Sequence, residues 1–339
     1  MPVVVASDGP QRLLAPLPRY PRLVEDLLAV QPEVYSPVAA HVCAEVAGWV
    51  YAEHTAGVIE ELVQRLGLAG AYYKEVAVHN DTMLIASTAV LVQSACGRVA
   101  ILCYRGTEPR NLVSWMVDFD VNPTLAPVRA ITRGDEPLVH LGFSRNLRVT
   151  WHDVARMLQR AAAGKAVDDR ANGSLQPLEA LLVTGHSLGA AMAALAGVRL
   201  ATGQAESAGL RQKLRGIYTF GQPFVGNAAF AAVCSEDPLL RLGLYRHVYR
   251  NDVVPHLPGR SSGKFVHFGR EFRVGPGLRW QEHARCATQA PDTVLSMFAV
   301  PTLVYWASQL ASTRRLARLG YSWYDHLPQF YIEASTPPA

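Results

Sequence analysis

The chain has few charged residues and no paired cysteine motif. Only 18% of its 339 residues are charged and its formal net charge is +4. No basic stretch is interleaved with aromatic residues, which argues against a dedicated nucleic-acid binder. The five cysteines are an odd number without a Cys-x-x-Cys pair, so we expect core packing for Cys43 and Cys103 rather than disulfides or a metal site. The 50% hydrophobic content is ample for a globular core.

The first thirty residues also lack the pattern of a secretory signal peptide. They have no basic start, no unbroken apolar stretch and no cleavage box. We therefore predict a cytoplasmic protein, and a membrane-surface association is compatible with this prediction. Residues 1–35 are proline-rich and are predicted to form an irregular arm, whereas residues 36–335, which contain no internal repeat, are predicted to form one domain. The oligomeric state stays open.

Strand and helix patterns alternate along the chain. Apolar spacing over 37–66 predicts one or two helices, and helical periodicity recurs over 142–163. Alternation of this kind predicts an α/β fold with a largely parallel sheet covered on both faces. The strand patterns lie at 72–79, 83–93, 98–104, 181–184, 214–220 and 244–250, and a further helix is expected around 226–235.

Residues 181–200 contain the most informative motif. An apolar strand pattern ends at Gly185-His186-Ser187-Leu188-Gly189, and an alanine-rich helix pattern follows. Strand, Gly-x-Ser-x-Gly and helix together are the nucleophile elbow of α/β-hydrolases. The turn is so sharp that side chains at 185 and 189 would collide with the adjacent strand and helix. We predict Ser187 as a nucleophile; the alternative is a structural tight turn.

A serine nucleophile needs a histidine base and a carboxylate that orients the base. In α/β-hydrolases the acid follows the serine in the chain and the histidine follows the acid. Asp252 is the best acid, because it lies just past a predicted strand in a turn closed by Pro255. Asp237 and Asp292 lack a preceding strand, and the alternative for Asp252 is a turn-forming role.

Position alone does not select the histidine, because four histidines follow Asp252. We predict His326, which lies between a loop and an aromatic-rich terminal helix pattern. His256 is too close to Asp252 to come from a separate loop. His267 alternates like a strand residue, so we expect it to pack or hydrogen-bond in the sheet. His283 is the remaining alternative.

The proposed chemistry also needs two donors for the oxyanion. The Leu188 N–H is one, at the start of the helix that follows the elbow. Thr107, just past a predicted strand and Gly106, can offer its N–H and its hydroxyl. Loss of one such donor typically costs roughly 2.7–4 kcal/mol of transition-state stabilisation.

Together these segments resemble the class 3 lipases. The resemblance covers about residues 70–330 and implies an α/β-hydrolase core, the triad Ser187, Asp252 and His326, and an oxyanion hole at Thr107 and Leu188. It also implies a lid over roughly 108–121. The matching segments are YRGT (104–107), NLVSWMVDFD (111–120), VHLGF (139–143), TGHSLGAA (184–191), YTFGQPFVGN (218–227), VYRNDVVPHLP (248–258), HFGREF (267–272) and DH (325–326).

The resemblance implies further residue roles and an activity. Arg105 and Asp118 would hold the lid loop, and His186 and Gln222 would be structural. The implied activity is hydrolysis of acylglycerols or related lipid esters by a serine mechanism that needs no metal or organic cofactor. The alternatives are phospholipase A1 or galactolipase activity, a short-chain esterase, and a lipase-like binding protein without turnover.

One segment departs from this family pattern. Residues 293–313 are 21 consecutive residues without a charge, long enough to span a bilayer. A single span would place Ser187 and His326 on opposite sides of the membrane, so we exclude it. Two predictions stay open for this apolar insert. It is either a buried core helix, or a patch at a membrane surface with Arg314, Arg315 and Arg318 on anionic headgroups.

Overall fold

The computed structural model describes residues 18–52, 55–80, 82, 85–106, 124–125, 136–168, 174–203, 205–260, 263–291 and 321–337. Several predicted features lie outside these residues. They are Thr107, the lid at 108–121 with Asp118, the acid candidate Asp292, and the apolar insert with its three arginines.

An eight-stranded sheet forms the centre of the fold. Its strands lie side by side in the order β1 (Tyr72–Asn80), β2 (Ile85–Gln93), β3 (Val99–Tyr104), β6 (Ala180–His186), β7 (Leu214–Phe220), β8 (Leu244–Val248), β9 (Arg270–Val274) and β10 (Trp280–His283). The five strands β3, β6, β7, β8 and β9 are parallel to one another, whereas the pairs β1–β2, β2–β3 and β9–β10 are antiparallel. This confirms the predicted α/β architecture. Two short strands, β4 (Thr124–Leu125) and β5 (Leu138–Val139), pair with each other apart from this sheet.

Helices cover both faces of the sheet. Side chains of successive strand residues point to opposite faces, so Ile101 and Leu102 of β3 lie in two different apolar clusters. Cys43 and Cys103 are buried in the cluster that contains Ile101, as predicted. The helices are α1 (Leu23–Leu28), α2 (Pro37–Trp49), α3 (Thr55–Leu66), α4 (Leu141–Ala162), α5 (Leu188–Thr202), α6 (Ala228–Glu236), α7 (Pro238–Gly243) and α8 (Pro328–Ser335).

The N-terminal segment corrects one prediction. Residues 1–35 were expected to be irregular, but the described part contains α1. Leu23 and Leu27 are buried in the same cluster as α2 and α3, and the Tyr20 N–H donates to the Leu66 carbonyl at 2.9 Å. Two leucines at i and i+4 lie on one helix face, so this apolar pair packs the segment against the domain.

The carboxyl ends of the parallel strands meet at one edge of the sheet, which is where α/β proteins place their sites. β6 ends immediately before Ser187, β7 ends before Gly221, and Asp252 follows β8. Among the described residues, no helix combines the length and apolar character that a membrane span requires.

Candidate active site

Ser187 has the backbone conformation of a strained elbow. Its φ is 61° and its ψ is −129°, in a region that a non-glycine residue adopts only at a cost of order 1–3 kcal/mol. The Ser187 N–H donates to the Phe220 carbonyl at 2.9 Å, which ties the turn to β7. A Cβ at 189 would meet the Tyr104 carbonyl, and one at 185 would meet the Gly189 carbonyl. Both predicted glycine requirements are therefore confirmed.

The helix start at the elbow has the predicted orientation. α5 begins at Leu188, directly after Ser187. The free N–H groups of its first turn and the positive end of its dipole therefore lie beside the serine. Gly106 reaches the same place, because a Cβ there would lie 3.2 Å from the Ser187 Cβ. Its neighbour Thr107 lies outside the described residues and stays a prediction.

Asp252 and His326 form a buried pair. The His326 Nδ1–H donates to Asp252 Oδ2 at 2.8 Å, and the Val254 N–H donates to Asp252 Oδ1 at 2.8 Å. Asp252 is fully buried and His326 is 5% exposed. The Ser322 N–H donates to the Asn251 carbonyl at 2.6 Å, so backbone pairing brings the histidine loop to the acid loop.

The other candidate histidines point elsewhere. His267 lies before β9 rather than in it, so the expected strand position is wrong, but the expected packing role is confirmed. Its ring stacks on Phe224 with centroids 3.9 Å apart. His267, His256 and His283 each form a hydrogen bond with a backbone carbonyl. The acceptors are the carbonyls of Pro255 at 2.8 Å, Thr288 at 2.6 Å and Arg285 at 2.7 Å, respectively.

The alternative acid Asp237 also has a structural position. It caps α7 by accepting from the Leu239 N–H at 2.9 Å, and it pairs with Arg211 at 2.6 Å. Of the described acid candidates, only Asp252 contacts a candidate histidine. Among the described residues, no group of three or more His, Cys, Asp or Glu could hold a metal ion.

No hydrogen bond in the described part of the chain joins Ser187 to His326. Within the described residues, neither Ser187 Oγ nor His326 Nε2 has a partner, although both atoms are buried. His186, which precedes the serine, packs its ring against that of His326 with centroids 4.5 Å apart. The site therefore contains a hydroxyl and an imidazole nitrogen that no other described group engages.

Tyr331 is a site residue that the sequence analysis missed. Its hydroxyl donates to Asp252 Oδ2 at 2.5 Å and accepts from the Tyr249 N–H at 3.2 Å. Burial and the negative charge of Asp252 raise the pKa of Tyr331 well above its ordinary value, so the hydroxyl stays protonated and keeps donating. The aromatic character of α8 was visible in the sequence, but nothing there tells which ring faces the acid.

Gly221 was missed as well. Its φ is +59°, and a Cβ there would lie 2.7 Å from His326 Cε1 and 2.9 Å from Asp252 Oδ2. Only glycine therefore lets β7 end directly under the Asp–His pair. The FGQP sequence was part of the recognised pattern, and the glycine in it was the available signal.

Two residues predicted as structural are also buried at the site. His186 is 4% exposed; burial and the neighbouring His326 lower its pKa well below the ordinary value, so the ring is neutral. Gln222 is buried, and neither atom of its amide has a partner among the described residues. Its structural role stays a prediction, as does that of Arg105.

Comparisons with known proteins find similarity to lipases. A family model described as "Lipase (class 3)" matches residues 101–262, a range that contains Ser187 and Asp252 but ends before His326. The chain is 30% identical over 216 residues to triacylglycerol lipase OBL1 of Arabidopsis thaliana, covering 56% of this chain and 40% of that one. It is 39% identical over 139 residues to a lipase of Rhizopus niveus, covering 41% of this chain and 31% of the relative.

The chain thus spans less than half the length of these curated relatives, whereas solved structures match over most of their length. Lipase II from Rhizopus niveus aligns with a TM-score of 0.58 and 22% identity, over 86% of this chain and 92% of that one. The lipase from Rhizopus microsporus var. chinensis aligns with a TM-score of 0.54 and 21% identity, over 95% and 96%. The two structures share the fold described above.

Proposed function

We propose that the chain is a member of the class 3 lipase family, whose model matches residues 101–262, and that it is a serine carboxylic-ester hydrolase that cleaves acyl esters of glycerolipids. One observation carries the proposal. A buried Asp252–His326 hydrogen bond lies beside a strained serine elbow at the carboxyl edge of a parallel sheet. This is the arrangement that activates a serine hydroxyl for acyl transfer.

In the proposed mechanism, Ser187 Oγ attacks the ester carbonyl while His326 Nε2 accepts its proton. Asp252 keeps the proton of neutral His326 on Nδ1, so that Nε2 is free to act as the base, and it stabilises the imidazolium that forms. The Leu188 N–H and Thr107 bind the oxyanion. His326 then protonates the leaving alcohol, and water activated by the same nitrogen hydrolyses the acyl-enzyme. The reaction requires no metal or organic cofactor.

The substrate class is tested by the chain-length dependence of p-nitrophenyl ester hydrolysis, from acetate to palmitate, with emulsified triacylglycerol alongside. We expect kcat/KM to rise with acyl length and triacylglycerol to be cleaved. A preference for acetate would instead identify a short-chain esterase, and cleavage of phospholipid or galactolipid alone would identify the corresponding lipase. A folded protein that cleaves none of them would favour the binding-protein alternative.

We further propose that residues 293–318 contact a membrane surface. The proposal rests on the uncharged stretch 293–313 and the three arginines that follow it. It also rests on the contacts of the described residues on either side of this segment, which end at 291 and resume at 321. The Ala290 N–H donates to the His256 carbonyl at 2.9 Å, and Ser322 bonds to Asn251. The described residues that flank the insert, Ala290 and Ser322, therefore attach to the loop that carries Asp252, beside the proposed site.

Flotation with vesicles that contain anionic phosphatidylglycerol tests this contact. A basic residue near such a surface contributes about 1 kcal/mol, so changing Arg314, Arg315 and Arg318 to glutamine should lower the partition coefficient about 100-fold. The control changes three exposed arginines elsewhere, Arg22, Arg65 and Arg156, and should bind like wild type. Equal binding of the test variant and wild type would favour the buried-helix alternative. The cytoplasmic location stays a prediction.

A further inference from the structure

Tyr51 lies where two loops of the site meet. It follows α2, and its hydroxyl is 3.1 Å from His186 Nδ1 and 3.3 Å from the His186 carbonyl. The Gly106 backbone also lies against this hydroxyl, because a Cβ at 106 would meet the Tyr51 oxygen. Gly106 precedes the predicted oxyanion donor Thr107, and His186 precedes Ser187. One phenol group therefore joins the end of β3 to the nucleophile elbow.

The hydrogen bonds of His186 determine which nitrogen carries its proton. His186 Nε2 is 2.8 Å from the backbone carbonyl of His326, and a carbonyl only accepts, so Nε2 must donate. Because the ring is neutral, Nδ1 must then accept, and the Tyr51 hydroxyl is its donor. The Tyr51 oxygen can still accept from the Gly106 N–H. The hydroxyl has a single proton, so in this arrangement it donates to Nδ1 at 3.1 Å and not to the His186 carbonyl at 3.3 Å.

This chain of bonds also connects Ser187 to His326. Within the described residues these two have no direct hydrogen bond, so their separation depends on the backbone that carries them. His186 directly precedes Ser187, and its Nε2 is hydrogen-bonded to the backbone carbonyl of His326, which lies 140 positions away in the sequence. The Tyr51 hydroxyl in turn orients the His186 ring.

We infer that Tyr51 and His186 are positioning residues for the proposed ester hydrolysis, acting through the backbone carbonyl of His326. The inference rests on the proposed function. Neither residue is assigned a contact with the reacting atoms. They determine how His326 Nε2 is placed relative to Ser187 Oγ and Gly106. A small displacement in such a geometry lowers the rate of the chemical step, while ground-state binding of the substrate changes little.

Tyr51→Phe removes the hydroxyl and keeps the ring. We expect kcat for p-nitrophenyl ester hydrolysis to fall roughly 10- to 100-fold, with KM within about twofold of wild type. Tyr20→Phe is the matched control, because it removes a tyrosine bond to His41 Nδ1 at 2.9 Å away from the site. A kcat for Tyr51→Phe equal to that of the control would overturn the inference.

A double-mutant cycle tests whether the Tyr51 hydroxyl acts through the His186 ring. His186→Leu removes both ring nitrogens, and with them the hydrogen bonds to Tyr51 and to the His326 carbonyl. His186→Gln keeps an N–H that can reach the His326 carbonyl. We expect the glutamine variant to recover part of the activity that the leucine variant loses. We also expect Tyr51→Phe to cost nothing further in the leucine background. An undiminished loss in that background would mean that Tyr51 acts through Gly106 or through the backbone carbonyl of residue 186, and the proposed route would be wrong.

A readout without turnover separates this inference from the proposed function. The His326 Nδ1 proton, bonded to Asp252, can be followed by NMR in protein with ¹⁵N-labelled histidine. We expect its exchange with water to accelerate in Tyr51→Phe and not in Tyr20→Phe. Unchanged exchange would overturn the inference even if the wild type hydrolyses esters. If the wild type hydrolyses none, the function fails while the exchange rates still decide the positioning role.

Discussion

Ser187→Ala is expected to lower kcat for ester hydrolysis by roughly five to six orders of magnitude, as loss of a triad serine does in serine hydrolases. Without Oγ no acyl-enzyme can form, so the burst of p-nitrophenol in pre-steady-state kinetics should disappear as well. The residual rate would come from oxyanion stabilisation and substrate binding alone. Stopped-flow and steady-state assays on one p-nitrophenyl ester measure both effects.

The serine variant should remain folded. Alanine at 187 keeps the positive φ of 61° and the backbone bond to Phe220, and the Oγ that it loses has no partner within the described residues. The melting temperature should therefore stay close to that of wild type. Ser235→Ala, in α6, is the matched control and should retain full activity. If Ser187→Ala kept more than about a thousandth of the wild-type kcat, another nucleophile would have to be sought.

Asp252→Asn should lower kcat by about 10⁴-fold, the loss seen when a triad aspartate becomes an amide. The site explains why an amide cannot substitute. Oδ2 accepts from two donors, His326 and Tyr331, and Oδ1 accepts from the Val254 N–H. Whichever way the asparagine is turned, its NH₂ group faces a donor. His326 then adopts the wrong tautomer or loses its orientation.

Two further variants serve as comparisons for the loss of kcat expected in Asp252→Asn. Asp325→Asn changes the neighbouring carboxylate, which accepts from the Asn251 N–H at 3.2 Å and does not contact the His326 ring; we expect nearly normal kcat. Tyr331→Phe removes one neutral donor while Asp252 stays charged, so its loss should be much smaller than that of Asp252→Asn. Comparable losses for Asp252→Asn and Asp325→Asn would contradict the assignment of the acid.

Much of the fold was predictable because its signals are local. The strands around 72–104 and 214–220 and the helix at 141–162 follow from residue periodicity, and the structure confirms them within a few residues. α1 was missed because two leucines in a proline-rich segment are too short a pattern, and only their burial against α2 makes the helix evident. His267 was placed in a strand because alternation alone does not mark where β9 begins.

The candidate site divides in the same way. The elbow at Ser187 was predictable because its turn is sterically possible only with glycine at 185 and 189, and all of these residues lie within five positions. Asp252 was identifiable from its place after a strand, but the choice of His326 among four histidines depended on a general order of residues. Tyr331, Gly221 and Tyr51 were not identified, because each acts on a partner that is distant in sequence.

The sequence by itself determined the local geometry and the chemistry available. It specified a strained serine between a strand and a helix, an acid after a strand, and no arrangement of cysteines that would require another chemistry. The tertiary structure alone decided which groups meet, because the bond between Asp252 and His326 joins residues 74 positions apart. Such contacts depend on how the carboxyl ends of parallel strands are packed side by side, and residue periodicity carries no information about that.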